Sequence, residues 1–193
     1  MTARSSDGRA RLAERRAARA ELTDVRPVLD AAGRYLEVRP RAAGEVRRHL
    51  VAAGYPTTLV EATIVTLTAA GYLDDEAFAR AWVESRDRTR PRGEAALRRE
   101  LLAHGVDADV AGRAIAERSG VGGAGSADQA AARRLLDRRG RSLLLEADPR
   151  RRRERAYALL ARSGFDPGTC REAVVRWLAE GGESGEEIPA DGD

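Results

Sequence analysis

All of the strongly basic side chains in this 193-residue sequence are arginines: there are 34, and there is no lysine. That excludes amine chemistry such as Schiff-base formation or a Walker A lysine. It leaves the guanidinium group, whose planar fork pairs bidentately with phosphate or carboxylate. The arginines recur in register. Arg41 and Arg48 lie seven residues apart, as do Arg92 and Arg99, with Arg47 and Arg98 flanking the second member of each pair. A seven-residue spacing places two side chains on one face of a helix, so repeated helices would build an arginine stripe. Arg133, Arg134, Arg138, Arg139 and the run Arg150 to Arg153, with Arg151 and Arg152 at its centre, would extend it. Such a stripe suits nucleic acid or an acidic protein surface. The competing reading is a solvated face paired locally, as Glu94 would pair with Arg98 one turn on.

Other arrangements offer less. Gly120-Val-Gly-Gly-Ala-Gly125 satisfies the dinucleotide-binding string, but no strand precedes it and no βαβ pattern surrounds it, so it reads as a linker. His49 and His104 have no second His or Cys at metal-ligand spacing and read as ordinary helix residues. Asp74, Asp75 and Glu76 could be imagined as a metal or acid/base cluster, yet capping and helix-dipole roles account for them. Cys170 has no nearby histidine in sequence and falls at an expected buried position, which argues against a nucleophile. No catalytic residue, metal ligand or cofactor site is assigned.

The elements that position these residues follow from an internal repeat. With a shift of 51 and no gap, residues 39 to 64 match residues 90 to 115 at nine of 26 positions, where chance would give roughly two or three. Arg39-Pro40-Arg41 returns as Arg90-Pro91-Arg92, Leu50 as Leu101, Gly54 as Gly105 and Ile64 as Ile115. A fainter copy lies 59 residues further on, where Arg151, Leu160, Gly164, Asp166 and Ala173 match Arg92, Leu101, Gly105, Asp107 and Ala114. The repeat assigns 57 to 70 as a helix despite its β-branched residues, because its counterpart, 108 to 117, is plainly helix-forming. The expected fold is all-α: tandem three-helix repeats, three units, forming an elongated, curved array. The boundaries read as an Arg/Ala-rich arm over 1–23, repeats over 24–72, 73–118 and 127–180, a Gly-rich linker over 119–126 and an acidic, disordered tail over 181–193. Within the arm, residues 1 to 7 read as disordered and 8 to 22 as a largely solvated helix.

The first join is read as a joint built by Gly71, Tyr72, Leu73, Asp74, Phe78 and Trp82. Gly71 closes one helix, Asp74 caps the next, and Leu73 and Phe78 stand at staple spacing. The tight turn predicts that the first two units move together, and the Gly-rich segment predicts a freer third.

Composition bounds the class. With 42% apolar and 4% aromatic residues, the core must be Leu, Ala and Val, which suits packed helices. The formal charge is +3, and residues 1 to 180 alone hold 34 arginines against 26 acids, or +8. The single cysteine fits a reducing compartment, and no apolar run approaches the roughly 20 residues that span a bilayer. A cytoplasmic monomer is the expectation.

The string Gly-Tyr-Leu-Asp-Asp-x-x-Phe-Ala-x-x-Trp-Val at Gly71 to Val83, followed by Gly93, Leu-x-x-Glu-Leu at Leu97 to Leu101 and Gly105-Val106, resembles the hallmark of RecX proteins. The resemblance covers about residues 24 to 180 and agrees with that family's tandem three-helix repeats. It implies a regulator that lies in the groove of the RecA filament on DNA and restrains strand exchange, ATP turnover and coprotease action in DNA repair and recombination. Ala42 stands where family members commonly carry a serine, so that helix cap is expected to be weaker. The contact residues expected from the repeat are Arg41, Arg47, Arg48, Arg92, Arg98, Arg99, Arg133, Arg134, Arg151 and Arg152. The alternative reading is a basic helical module that binds nucleic acid independently of RecA.

Overall fold

Helices are what this Ala-, Leu- and Arg-rich composition favours. In the computed structural model, which describes residues 3–118 and 124–183, every regular element among the described residues is an α-helix. In chain order they are α1 (Ala3–Ala20), α2 (Arg26–Leu36), α3 (Ala43–Ala52), α4 (Thr57–Ala69), α5 (Asp75–Thr89), α6 (Glu94–His104), α7 (Ala108–Glu117), α8 (Ala124–Leu144), α9 (Pro149–Arg162) and α10 (Pro167–Glu183). The strand-prone segment is α4. Burial of Val60, Thr63, Ile64 and Leu67 at helical spacing overrides its β-propensity.

Three ends differ from expectation. α1 begins at Ala3 rather than near Gly8, so of the segment read as disordered only residues 1 and 2 lie outside the described residues. Arg19 near its end is anchored: its Nη1 donates to the Ala53 carbonyl at 3.0 Å, and its guanidinium lies 5.0 Å from the Tyr55 ring centroid. Of the Gly-rich segment, 119–123 lie outside the described residues and 124–126 already belong to α8. Of the acidic tail, 184–193 lie outside them, while 181–183 complete α10.

The chain divides into two compact units, Met1–Ala79 with Leu102–Val110, and Arg80–Leu101 with Ala111–Asp193. The division passes through α5, α6 and α7 and not at the Gly-rich segment. The core of the first unit gathers Val28, Ala32, Val46, Leu50, Tyr55, Val60, Ile64, Leu67 and Leu73. That of the second gathers residues of α8, α9, α10 and the α9–α10 turn, among them Leu136, Leu160, Phe165, Cys170, Val174 and Trp177. Within this unit, side chains tie the third repeat to the second. Arg118 links Asp87 to Asp128, Arg134 lies 3.6 Å from Asp87, and Arg138 donates to the carbonyls of Arg88 and Thr89.

The repeat is visible in the backbone. Gly54, Gly105 and Gly164, the three glycines matched by sequence, have φ of 96°, 84° and 87°. Each closes the second helix of its repeat in the left-handed region where a side chain is strained. Asp107 and Asp166, also matched, accept backbone N–H bonds at the starts of α7 and α10, from Asp109 at 2.8 Å and from Gly168 and Thr169 at 2.8 and 3.0 Å. A hydrogen bond from the Thr169 side chain, and then those backbone bonds, hold the Asp166 carboxyl below its ordinary range.

How successive repeats join was not visible in sequence. Ala42 cannot cap α3, but Asp75, from the first turn of α5, accepts the Ala43 N–H at 2.8 Å. The same device recurs in the second unit: Asp128 of α8 accepts the N–H of Glu94, first residue of α6, at 3.2 Å. In each case a carboxylate from the next repeat caps the second helix of the preceding one, where orphan N–H groups and the helix dipole favour negative charge. The backbones also meet there. A Cβ on Gly44 would lie 2.6 Å from Gly105, and one on Gly93 would overlap the Gly164 carbonyl. Asp75 was assigned only a dipole role within its own helix; its longer-range cap makes Asp75→Ala a measurable loss. The expected cost is about 1 kcal/mol in urea unfolding, and equal midpoints for variant and parent would refute the cap.

Asp74 caps α5 as expected, accepting the Ala77 N–H at 2.8 Å, and Gly71 has φ 76°. Leu73 is buried, but Tyr72 is 73% exposed and does not pack the joint as its aromatic character suggested. The preceding glycine turns the chain so that Leu73 takes the inward position.

Candidate functional site

The arginines expected to form a stripe fall into different roles. Arg41 precedes α3 and Arg92 precedes α6, so neither shares a helical face with Arg48 or Arg99. The Pro in each Arg-Pro-Arg holds the chain extended, and the helices start later than the seven-residue spacing assumed. The Arg41 side chain is 14% exposed. It places its guanidinium 4.2 Å from the Tyr35 ring centroid and 3.5 Å from Glu45, while Tyr35 stacks on His49 at 3.8 Å. Burial, then Arg41 and Arg19, lower the His49 pKa, so that ring stays neutral. Arg92 is directed to Glu100 at 3.4 Å.

Glu45 and Glu100 organise these positions. Glu45 meets Arg39 at 2.8 Å, Arg41 at 3.5 Å, the Ala42 N–H at 3.4 Å and His104 at 3.3 Å. Burial raises its pKa, but the Arg39 hydrogen bond, the His104 charge and the remaining partners outweigh that and leave it lowered. Glu100 accepts from the Trp82 indole at 3.0 Å and from Arg86 at 2.6 Å, with Arg86 stacked 4.1 Å from the Trp82 ring centroid. Sequence reasoning missed Glu45, Glu100 and Arg86 because their partners sit on other helices.

Most of the remaining predicted arginines are engaged within the chain. Arg47 forms a bidentate pair with Glu61 at 2.6 and 2.9 Å, and Arg48 donates to the Ala103 carbonyl at 2.8 Å. Arg98 pairs with Glu94 at 2.9 Å, as the one-turn spacing predicts. Arg133 bridges Asp137 and Glu180, Arg151 reaches Asp148 at 3.6 Å, and Arg152 donates to the Glu146 carbonyl at 3.0 Å. Arg99 is exposed, with no ion pair or hydrogen bond among the described residues. Exposed pairs such as Arg98 with Glu94 are worth a few tenths of a kcal/mol, so they yield readily to a better anion. Arg98 and Arg99 line a cavity of about 630 Å³ with Glu94, Asp128, Phe165 and Asp166, in the second unit. Here two predicted arginines and a large concave surface coincide.

Arg118 carried no signal in sequence, yet its side chain is 5% exposed and fully engaged: Nε to Asp87 at 2.8 Å, Nη1 to Asp128 at 2.6 Å and Nη2 to the Arg92 carbonyl at 3.2 Å. Burial raises the Asp128 pKa, against the pull of the Glu94 N–H and of Arg118.

The acids at the first joint line a cavity of about 380 Å³ with Ala43, Thr68, Gly71 and Leu73. Asp74 and Asp75 each use an oxygen to accept a helix N–H there. Among the described residues no group of His, Cys, Asp and Glu is arranged to hold a metal, and no helix is long and apolar enough to cross a membrane. Cys170 is buried, and burial pushes its thiol pKa up, the opposite of an activated nucleophile.

Comparison with known proteins agrees with this geometry. A family model described as RecX, second three-helix domain, matches residues 74–115. The regulatory protein RecX of Mycobacterium ulcerans is 37% identical over 146 residues, covering 76% of this chain and 82% of that protein. That of Prosthecochloris aestuarii is 31% identical over 156 residues, covering 81% and 97%. The crystal structure of RecX from Lactobacillus salivarius matches the fold with a TM-score of 0.63 at 17% identity, covering 80% of this chain and 97% of that one. With its repeated left-handed glycines, its capped joints and relatives of this identity and extent, the chain belongs to the RecX family of regulatory proteins.

Proposed function

We propose that this chain is a non-enzymatic, cytoplasmic regulator that binds the RecA filament on DNA as a monomer and restrains its recombinase, ATPase and coprotease activities. The observation that carries the reading is its membership of a family whose relatives are named regulatory proteins. The large cavity rimmed by Arg98 and Arg99 supports it. Such a surface acts by occupation: guanidinium groups exchange weak internal partners for phosphate or for carboxylates of the filament, and no bond is made or broken.

The test is RecA-catalysed ATP hydrolysis on single-stranded DNA with increasing amounts of the chain, beside its Arg98→Ala/Arg99→Ala variant. The variant is expected to need roughly tenfold more protein for half-inhibition, equivalent to about 1.4 kcal/mol of lost binding. Inhibition by both proteins at the same concentration would remove these two arginines from the interface. The independent nucleic-acid module is the second reading, favoured by eleven arginines against five acids over residues 128 to 162. It would be supported by steeply salt-dependent binding to naked DNA with no effect on the filament.

A further inference from the structure

Between α8 and α9, within the second unit, a cavity of about 230 Å³ is lined by Arg139, Ser142 and Leu143 of one helix and Arg155, Leu159 and Arg162 of the other. Residues 139, 142 and 143 share a face of α8, and 155, 159 and 162 share a face of α9. Packing of the two helices therefore fixes three arginine backbones around one cleft. Leu143 is buried beneath them. An apolar floor lowers the local dielectric and strengthens attraction between the guanidinium groups and an anion.

These three differ from their neighbours in what they already bind. Arg138 is engaged by the carbonyls of Arg88 and Thr89, and Arg133 by two carboxylates. Arg155 has an exposed pair with Glu146 at 3.3 Å. Arg139 and Arg162 are exposed and have no ion pair or hydrogen bond among the described residues. The Ser142 hydroxyl donates to the Arg139 carbonyl at 2.9 Å. Three like charges at one cleft with a single counter-charge between them repel, and an anion placed there relieves that repulsion.

We propose that this cleft is a phosphate-binding site, filled by a phosphate group carried on a nucleic-acid backbone or on a free phosphomonoester. Phosphate fits better than carboxylate because its oxygens can engage guanidinium groups from several directions at once, where a carboxylate is satisfied by one or two. The cleft is smaller than the roughly 300 Å³ at which pockets for drug-sized ligands begin. It suits one phosphate with the adjoining sugar carbons against Leu143 and Leu159. The net charge of +6 over residues 128 to 162 draws a polyanion toward it. The site requires no recombinase, so loss of filament regulation with this binding intact would fail the regulatory reading alone.

The test uses the full chain and a fluorescein-labelled 12-nucleotide oligothymidylate, with affinity measured by anisotropy between 50 and 200 mM salt. Arg139→Ala/Arg162→Ala is expected to lower the slope of log affinity against log salt by about 1.4, the loss of two phosphate contacts on a single strand. Arg171→Ala/Arg176→Ala removes equal charge from exposed positions of α10 and is expected to lower it by less than half as much. No change in the first variant, or equal change in both, would overturn the site. Circular dichroism checks that both variants remain folded.

Arginine Nε–H resonances of the unmutated chain, titrated with sodium phosphate, with adenosine monophosphate and with the oligonucleotide, then separate the sources. Shifts of Arg139 and Arg162 with all three assign a general phosphate site, and shifts with the oligonucleotide alone assign a phosphodiester site. Shifts with none overturn the proposal. Displacement of the oligonucleotide by polyglutamate more readily than by phosphate, at matched ionic strength, would overturn it in favour of an acidic peptide.

Discussion

Arg118→Ala is expected to destabilise the chain by about 4 kcal/mol at neutral pH, the range found when one member of a buried ion cluster is removed. The loss is large because Asp87 and Asp128 remain, and Asp128 is itself 9% exposed. Its pKa is already raised by burial even with Arg118 at 2.6 Å, so without the cation it rises further. A carboxyl whose folded pKa lies above its unfolded value favours folding most below the unfolded pKa, and that contribution is lost as pH rises through the folded pKa. The penalty of the variant is therefore greatest at neutral pH and shrinks in acid, where Asp128 binds a proton. Urea unfolding at pH 7 and pH 4.5 checks this. A pH-independent difference would mean that Arg118 acts by packing alone, and an added Asp128→Asn substitution is expected to recover part of the loss at pH 7.

Gly93→Ala is expected to cost about 3 kcal/mol. A Cβ there would lie 2.5 Å from the Phe165 nitrogen and overlap the Gly164 carbonyl, and moving that backbone away loosens the 3.1 Å bond from the Gly93 N–H to the Ser163 carbonyl. Overpacking a tight site typically costs 1–3 kcal/mol, and a lost hydrogen bond about 1. The backbone at Gly93 is not left-handed, so the whole effect comes from close approach and none from conformational strain. Gly33→Ala is the control: it lies inside α2 with nothing within 4 Å of its added Cβ, and it is expected to stabilise by about 0.5–1 kcal/mol. Equal effects at the two glycines, read by thermal or urea unfolding, would contradict the contact between the α6 start and the α9–α10 turn.

What the sequence made legible was local or repeated. The helix at α4, the cap at Asp74 and the closing glycines at Gly54, Gly105 and Gly164 each leave a signature within a few residues, or return at a fixed shift. The joints do neither. Asp75 reaches Ala43 across 32 positions and Asp128 reaches Glu94 across 34. The two acids are offset by 53 residues, whereas the second and third repeats align at a shift of 59, so the repeat alignment does not pair them.

Arg118 was hidden for a related reason. It follows the last residue of α7, beside the Gly-rich segment, and in sequence nothing separates a buried arginine there from the many exposed ones. For the candidate site the spacing rule failed at Arg41 and Arg92, where proline delays the helix, but held for Arg98, whose pairing with Glu94 is local. Which arginines remain available for a partner depends on acids brought in from other helices. That is a tertiary property: Arg47 and Arg99 look alike in sequence, yet one is paired bidentately with Glu61 and the other is exposed, with no ion pair or hydrogen bond among the described residues.

The central claim, regulation of a recombinase filament by occupation, is tested most directly by the rate of ATP hydrolysis by RecA on single-stranded DNA as the purified chain is added. The account predicts a dose-dependent fall that saturates, with Gly93→Ala weakened in proportion to its unfolded fraction. A rate that stays constant while the chain is folded and present in excess over RecA would contradict it.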